Sequence, residues 1–166
     1  FAALPFAFAD LKLSYTDAFF EAMSGLTTTG STVIVGLDNA PPGILIWRAL
    51  LQWLGGIGVI AMAIAILPLL RVGGMQLFQT ESSERSEKVV PSAFDLSAWI
   101  AIIYLVLTVV CALLYGIGEM TAFDAINHAM ATVSTGGYST HDASFAYFQN
   151  PLTHWTGVVF MLAGAL

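Results

Sequence analysis

The sequence predicts an all-α integral membrane fold built from repeated units, each a span, a short re-entrant helix, a polar loop and a second span. Three observations carry this. Hydrophobic residues make up 57% of the 166-residue chain and charged residues 10%, against about 45–50% and about 25% in soluble domains. Two apolar runs reach the roughly 20 residues that a bilayer-spanning helix needs. A short stretch of small polar residues and glycine also occurs twice, at one constant spacing.

The first apolar run extends from Ile44 to Leu70, interrupted by Arg48 and Gln52 near its start. The second extends from Leu96 to Ile117 and carries no charge. A third begins near Leu152 and continues to Leu166, and Phe1 to Phe8 reads as the tail of an earlier span. Both ends look cut, so the sequence reads as a fragment of a longer protein.

Residues 71–95 hold Arg71, Glu81, Glu84, Arg85, Glu87 and Lys88 and form the one charge-rich stretch, an expected aqueous linker. Its three basic residues exceed Lys12 and Arg48 on the opposite side, which orients the linker to the cytoplasm. The expected organisation is a first unit over 1–70, with pore helix and filter at 16–32 and a span at 44–70. A second unit over 96–166 has a span at 96–117, pore helix and filter at 122–139, and a truncated span from 152.

The repeat is ungapped. Asp17-Ala18 aligns with Asp124-Ala125, Ala22-Met23 with Ala129-Met130, Thr28 with Thr135 and Gly30 with Gly137. Each copy is a helical stretch too short to cross a bilayer, followed by Thr27-Thr28-Thr29-Gly30-Ser31 or Ser134-Thr135-Gly136-Gly137-Tyr138. Non-helical backbone at membrane depth is tolerated where it is buried in protein or lines a water-filled path. These segments therefore read as pore-lining loops.

The residue types suit a cation path. A dehydrated cation needs oxygens in place of its water, and a loop whose carbonyls face one axis supplies them. Such a backbone passes through conformations open to glycine and strained for other residues, which fits Gly30 and Gly137. Thr28 and Thr135 add hydroxyl oxygens at the inner end. Asp17 and Asp124 are expected as N-caps of the short helices. Each helix then aims its negative C-terminal end at the loop, favouring cations over anions.

These segments resemble the Trk/Ktr superfamily of potassium transporters, channel-like in their units, and within it the TrkH type of the bacterial Trk potassium-uptake system. The resemblance rests on Met23-Ser-Gly-Leu-Thr-Thr-Thr-Gly-Ser31, Leu50-Leu-Gln-Trp-Leu-Gly-Gly-Ile-Gly58 and Ile66-Leu-Pro-Leu-Leu-Arg-Val-Gly-Gly-Met-Gln-Leu-Phe78. In the second unit it rests on Asp124-Ala-Ile-Asn-His128 and Ser134-Thr-Gly-Gly-Tyr-Ser-Thr-His141. It covers nearly the whole chain.

The resemblance implies potassium uptake across the bacterial inner membrane by a multi-pass protein. It implies four units around one pore, a homodimer in lipid and a cytosolic nucleotide-binding regulatory subunit. It also implies that Thr28, Thr29 and Gly30 line one wall of the filter and Thr135, Gly136 and Gly137 another, with potassium as substrate. The loops depart from the channel pattern Thr-Val-Gly-Tyr-Gly, because Thr32 and Ser139 stand at the final glycine and Ser31 at the tyrosine. The outer ion sites are expected to be less regular than in a channel.

Other classes fit less well. The net charge of -6, from 11 acidic and 5 basic residues, argues against a nucleic-acid partner. Cys111 alone cannot form an internal disulfide. No nucleophile, base or metal constellation stands out, so neither an enzyme nor a cofactor is expected. Asp124 and His128, one helical turn apart, are the one pair an intramembrane enzyme could use, yet their counterparts are Asp17 and Glu21. The ion-binding subunit of an ATP-driven potassium pump is the other alternative.

Single residues read more plainly. Gly55-Gly56-Ile57-Gly58 lies mid-span and serves close helix packing rather than nucleotide binding. Arg48 reads as a snorkelling or paired residue, Glu21 as a loop contact or a cation attractor, and His128 as support behind its loop.

Overall fold

A computed structural model of the chain describes residues 1–9, 11, 13–66 and 93–165. Among them the elements are helical throughout: α1 (Leu4–Phe8), α2 (Tyr15–Leu26), α3 (Pro42–Ile66), α4 (Ala93–Ile117), α5 (Ala122–Val133) and α6 (Pro151–Ala165), with 3-10 turns at Leu37–Asn39 and Ser144–Tyr147. The linker expected over 71–95 lies outside the described residues apart from its last three, which open α4. Residues 67–70 of the first expected span, and Lys12, Arg71, Arg85 and Lys88 of the orientation argument, lie outside them as well.

Each of the two 12-residue helices, α2 and α5, starts and stops by the same device. Asp17 and Asp124 are not the N-caps. Ser14 and Thr121 are: their hydroxyls accept from the amides of Asp17 and Asp124 at 3.1 Å. The hydroxyl sits three residues before the aspartate, so the carboxylate answers from the first turn, taking the Ser14 and Thr121 hydroxyl protons at 2.7 and 2.6 Å. In α2 the Ser14 main-chain amide joins in, completing a capping box.

Both helices end in a Schellman motif. The amide of Thr28 donates to Gly25 O and that of Thr29 to Ser24 O; in α5, Thr135 donates to Thr132 O and Gly136 to Ala131 O. The motif puts its C′ residue in the left-handed region, normally glycine's place. Here the residue is threonine twice, with φ 55° at Thr28 and 56° at Thr135.

The long helices enclose these short ones. α3 packs against α2 and α5, while α4 and α6 pack against α5 and each other. One apolar core gathers Phe6, Ala18, Ala22, Ile34, Leu37 and Leu51, and the second gathers Tyr104, Cys111, Tyr115, Ala129, Val133 and Phe160.

Glycines set the approach of the layers. A Cβ on Gly55 of α3 would lie 2.2 Å from Leu26 O, and one on Gly164 of α6 would lie 2.3 Å from Val133 O. Leu26 and Val133 are the last residues of their short helices, so the two glycines are structural equivalents and the repeat extends into the spans. Gly56 lets Tyr104 and Ser134 close in on α3.

The outside of α4 is apolar. Trp99, Ile102, Ile103, Leu105, Val106, Val109, Val110, Leu113 and Ile117 are all exposed. Such a surface fits hydrocarbon, and Ala98–Ile117 is long and apolar enough to cross it.

Candidate functional site

The two polar loops meet beneath the ends of α2 and α5. In both, the backbone takes the left-handed region at threonine and again two residues later at glycine: φ 55° and 79° at Thr28 and Gly30, 56° and 81° at Thr135 and Gly137. The glycines stand where the sequence places them, and the threonines share a strain that it did not announce. Thr28 and Thr135 line one cavity of about 140 Å³ together with Gly56, Tyr104 and Ser134.

The six predicted residues differ in exposure. Thr29, Thr135 and Gly137 are exposed, Thr28 and Gly30 half-buried and Gly136 buried. Gly136 faces protein: a Cβ there would lie 2.4 Å from the Gln52 Cδ. Its carbonyl presses on the other loop, where a Cβ on Gly30 would meet it at 1.8 Å. Gly137 would point a Cβ into open space.

A buried polar frame holds the outer ends of the loops; Arg48 and Glu21 stood out in the sequence, but not their connections. Arg48 of α3 is 1% exposed and Glu21 of α2 0%. Arg48 Nε donates to Glu21 Oε1 at 2.8 Å, and its Nη1 donates to Ser139 O at 2.9 Å. Glu21 also accepts from the Thr32 hydroxyl at 2.9 Å and the Val33 amide at 3.0 Å. Of the two readings of Glu21, the structure favours the loop contact. The Tyr138 hydroxyl donates to Glu21 O at 2.9 Å, reaching from the second loop into the first unit.

His128 supports the second loop from behind. Its Nδ1 lies 2.8 Å from Asp124 O and must donate, because a carbonyl only accepts. In the neutral ring Nε2 is then the acceptor for the Ser139 hydroxyl at 2.9 Å. The Asp124 carboxylate turns away, to Thr121 and to the Thr140 hydroxyl at 2.6 Å. Asp124 and His128 thus form no side-chain acid–base dyad.

The segments that follow the two polar loops are clasped as well. Asp142 accepts from the amides of Gly36 and Leu37 at 3.0 Å, and His141 Nδ1 pairs with Asp38. His141 also stacks on Tyr147 with centroids 3.6 Å apart. The His141 bond holds the exposed Asp38 carboxyl below its usual value. Among the described residues, no cluster of three or more His, Cys, Asp or Glu is set to hold a metal ion.

The described residues thus hold two polar loops, each led by a short capped helix and flanked by long apolar ones. The family model described as "TrkH: Cation transport protein" matches residues 2–166. The chain belongs to the TrkH family.

Members of that family align along nearly all of it. It is 48% identical to the Trk system potassium uptake protein TrkI of Halomonas elongata over 100% of this chain and 34% of that protein. To the Trk system potassium uptake protein TrkH of Escherichia coli K12 it is 49% identical over 96% of this chain and 34% of the relative. The crystal structure of the potassium transporter TrkH from Vibrio parahaemolyticus superposes with a TM-score of 0.85 at 46% identity, covering 99% of this chain and 32% of that one. The chain thus spans about a third of the length of its TrkH-family relatives, and its fold is the family's membrane-transporter fold.

Proposed function

We propose that this chain supplies two of the pore-lining units of a potassium-uptake protein. The observation that carries the reading is the duplicated loop: left-handed threonine, then left-handed glycine, at the C-terminal end of a short helix, twice and side by side. Left-handed residues at alternate positions let successive carbonyls turn toward one side, which an ion-coordinating wall requires. The negative ends of α2 and α5 point at the same place and favour a cation there.

Under this reading Thr28, Thr29, Gly30, Thr135 and Gly137 supply oxygens to potassium ions. Gly136 packs the two walls together. Two loops cannot close a ring, so two further units complete it. The names of the relatives, Trk system potassium uptake proteins, support potassium as the ion. Resemblance to the family supports a homodimer, a cytosolic nucleotide-binding regulatory subunit and the bacterial inner membrane.

The test is potassium and sodium flux into liposomes holding the full-length protein, with Gly137→Ser beside wild type. Gly137 faces open space with φ 81°, so a serine strains the loop without striking a neighbour. Loss of flux or of selectivity is expected. Unchanged flux in the variant removes Gly137 from the ion path.

A further inference from the structure

We propose that Gln52 is a positioning residue: reaching from the first unit's span, it fixes the orientation of the Gly137–Tyr138 peptide in the second unit's loop, and so tunes the preference for potassium over sodium. This rests on the pore reading above.

Gln52, within the first half of α3, is 0% exposed. Its Oε1 accepts the Tyr138 amide at 3.1 Å, across the boundary between units. An amide proton cannot be donated to an NH2 group, so this bond also fixes which end of the Gln52 amide is oxygen. In a trans peptide the N–H and C=O point in opposite directions. Holding the Tyr138 N–H outward on Gln52 therefore holds the Gly137 C=O away from α3, on the side the loop leaves exposed.

The peptide needs such a hold. Gly137 stands at φ 81°, a region glycine enters without steric penalty, with open space where a side chain would anchor it. Gln52 Nε2 meanwhile has no hydrogen-bond partner among the described residues. It lies 2.5 Å from where a Gly136 Cβ would sit and 3.6 Å from where a Gly30 Cβ would sit. The side chain is therefore wedged between both loops while making, among the described residues, one directed bond, to the peptide in question.

The second unit lacks the device. Gly55 and Gly164 are equivalent, and three residues before them stand Gln52 and Met161. The thioether of methionine has no amide-like acceptor to offer. Of the two spans compared, one carries the acceptor and the other does not, as expected of a tuning residue rather than a general scaffold element.

The experiment uses the full-length transporter in liposomes, with Gln52→Met, Gln52→Asn and Gln52→Glu beside wild type. Potassium uptake, its KM and the potassium-to-sodium flux ratio are read on protein that elutes as a folded species. Gln52→Met removes the acceptor at similar volume, and Gln52→Asn withdraws it by one methylene. Each is expected to lower the flux ratio about fivefold, the scale of one net hydrogen bond. Gln52→Glu keeps the length and, as the neutral carboxylic acid that full burial favours, the carbonyl acceptor, and is expected to hold the ratio near wild type.

A ratio unchanged in Gln52→Met and Gln52→Asn overturns the proposal, as does a Gln52→Glu ratio that falls with theirs. If Gln52→Met does not fold, the Asn and Glu pair decides by the same criterion. A merely structural role would lower the amount of active protein and leave the ratio where it was. Wild type that passes no potassium overturns the pore reading itself, a result separable from either.

Discussion

The guanidinium carbon of Arg48 lies 4.1 Å from the centre of the Tyr138 ring, so a cation on the first unit's span covers an aromatic on the second unit's loop. The same guanidinium neutralises Glu21 and donates to Ser139 O. One side chain thus ties α2, α3 and the second loop together inside the protein. Arg suits this place because its planar fork serves several acceptors while its face stacks on a ring.

Breaking that tie from one side leaves a buried charge. Arg48→Met is expected to destabilise the protein by about 3–5 kcal/mol, the scale for stranding a buried partner. Glu21→Gln is expected to fall in the same range. The double variant should recover a large part of the loss, since neither charge is then stranded. Thermal unfolding of the four proteins in detergent checks this; additive losses would mean that the pair is not coupled.

Close packing at the helix crossings makes a different demand. A methyl at Gly55 or Gly164 would stand 2.2 or 2.3 Å from a main-chain carbonyl, which cannot swing aside as a side chain can. Gly55→Ala and Gly164→Ala are each expected to cost about 1–3 kcal/mol through overpacking. Gly58, three residues further along α3, faces open space. Gly58→Ala should be neutral or gain up to about 1 kcal/mol in helix propensity. Melting temperatures of the three variants test the contrast.

Most of the architecture was legible. The apolar run from Ile44 begins two residues inside α3 (Pro42–Ile66), and the run from Leu96 three residues inside α4 (Ala93–Ile117), because span length and hydrophobicity are local properties. Gly30 and Gly137 were readable for the same reason. Asp17 and Asp124 were misplaced by three residues, since in a capping box either partner looks like a cap until the hydroxyl before it is noticed. The positive φ of Thr28 and Thr135 was not readable, because threonine disfavours that region and surrounding structure imposes it. Nor were the bonds of Arg48 and Gln52 to residues about 90 positions away: polar residues in an apolar run announce a partner without naming it.

The clasp between Asp38 and His141 predicts an acid-dependent loss. Asp38 is held below its ordinary value of 3.8 chiefly by the bond from His141, with the Asp142 amide assisting. A carboxyl lowered in the folded state stabilises above its unfolded value, and that contribution is lost as pH falls through the folded one. The clasp should therefore be intact at neutral pH and weaken below 3.8. Asp124 and Asp142 also face His141 or adjoin it, so the comparison has to isolate Asp38. Melting temperature against pH for wild type and Asp38→Asn does so: wild type should lose its advantage below that value. Parallel curves would show that the pair contributes nothing.

Gly30 and Gly137 hold matching places in the repeat, with φ of 79° and 81°, yet their surroundings predict unequal tolerance. A Cβ on Gly30 would lie 1.8 Å from Gly136 O, a main-chain atom of the opposite loop. The two loops would have to separate to admit it. A Cβ on Gly137 meets nothing within 4 Å, so alanine there bears the left-handed penalty of about 1–2 kcal/mol and no clash. Gly137→Ala should therefore fold with a modest loss of melting temperature. Gly30→Ala should lose distinctly more, because the same penalty is joined by displacement of the second loop. Thermal unfolding orders the two, and equal losses would mean that the loops do not press on one another through Gly136.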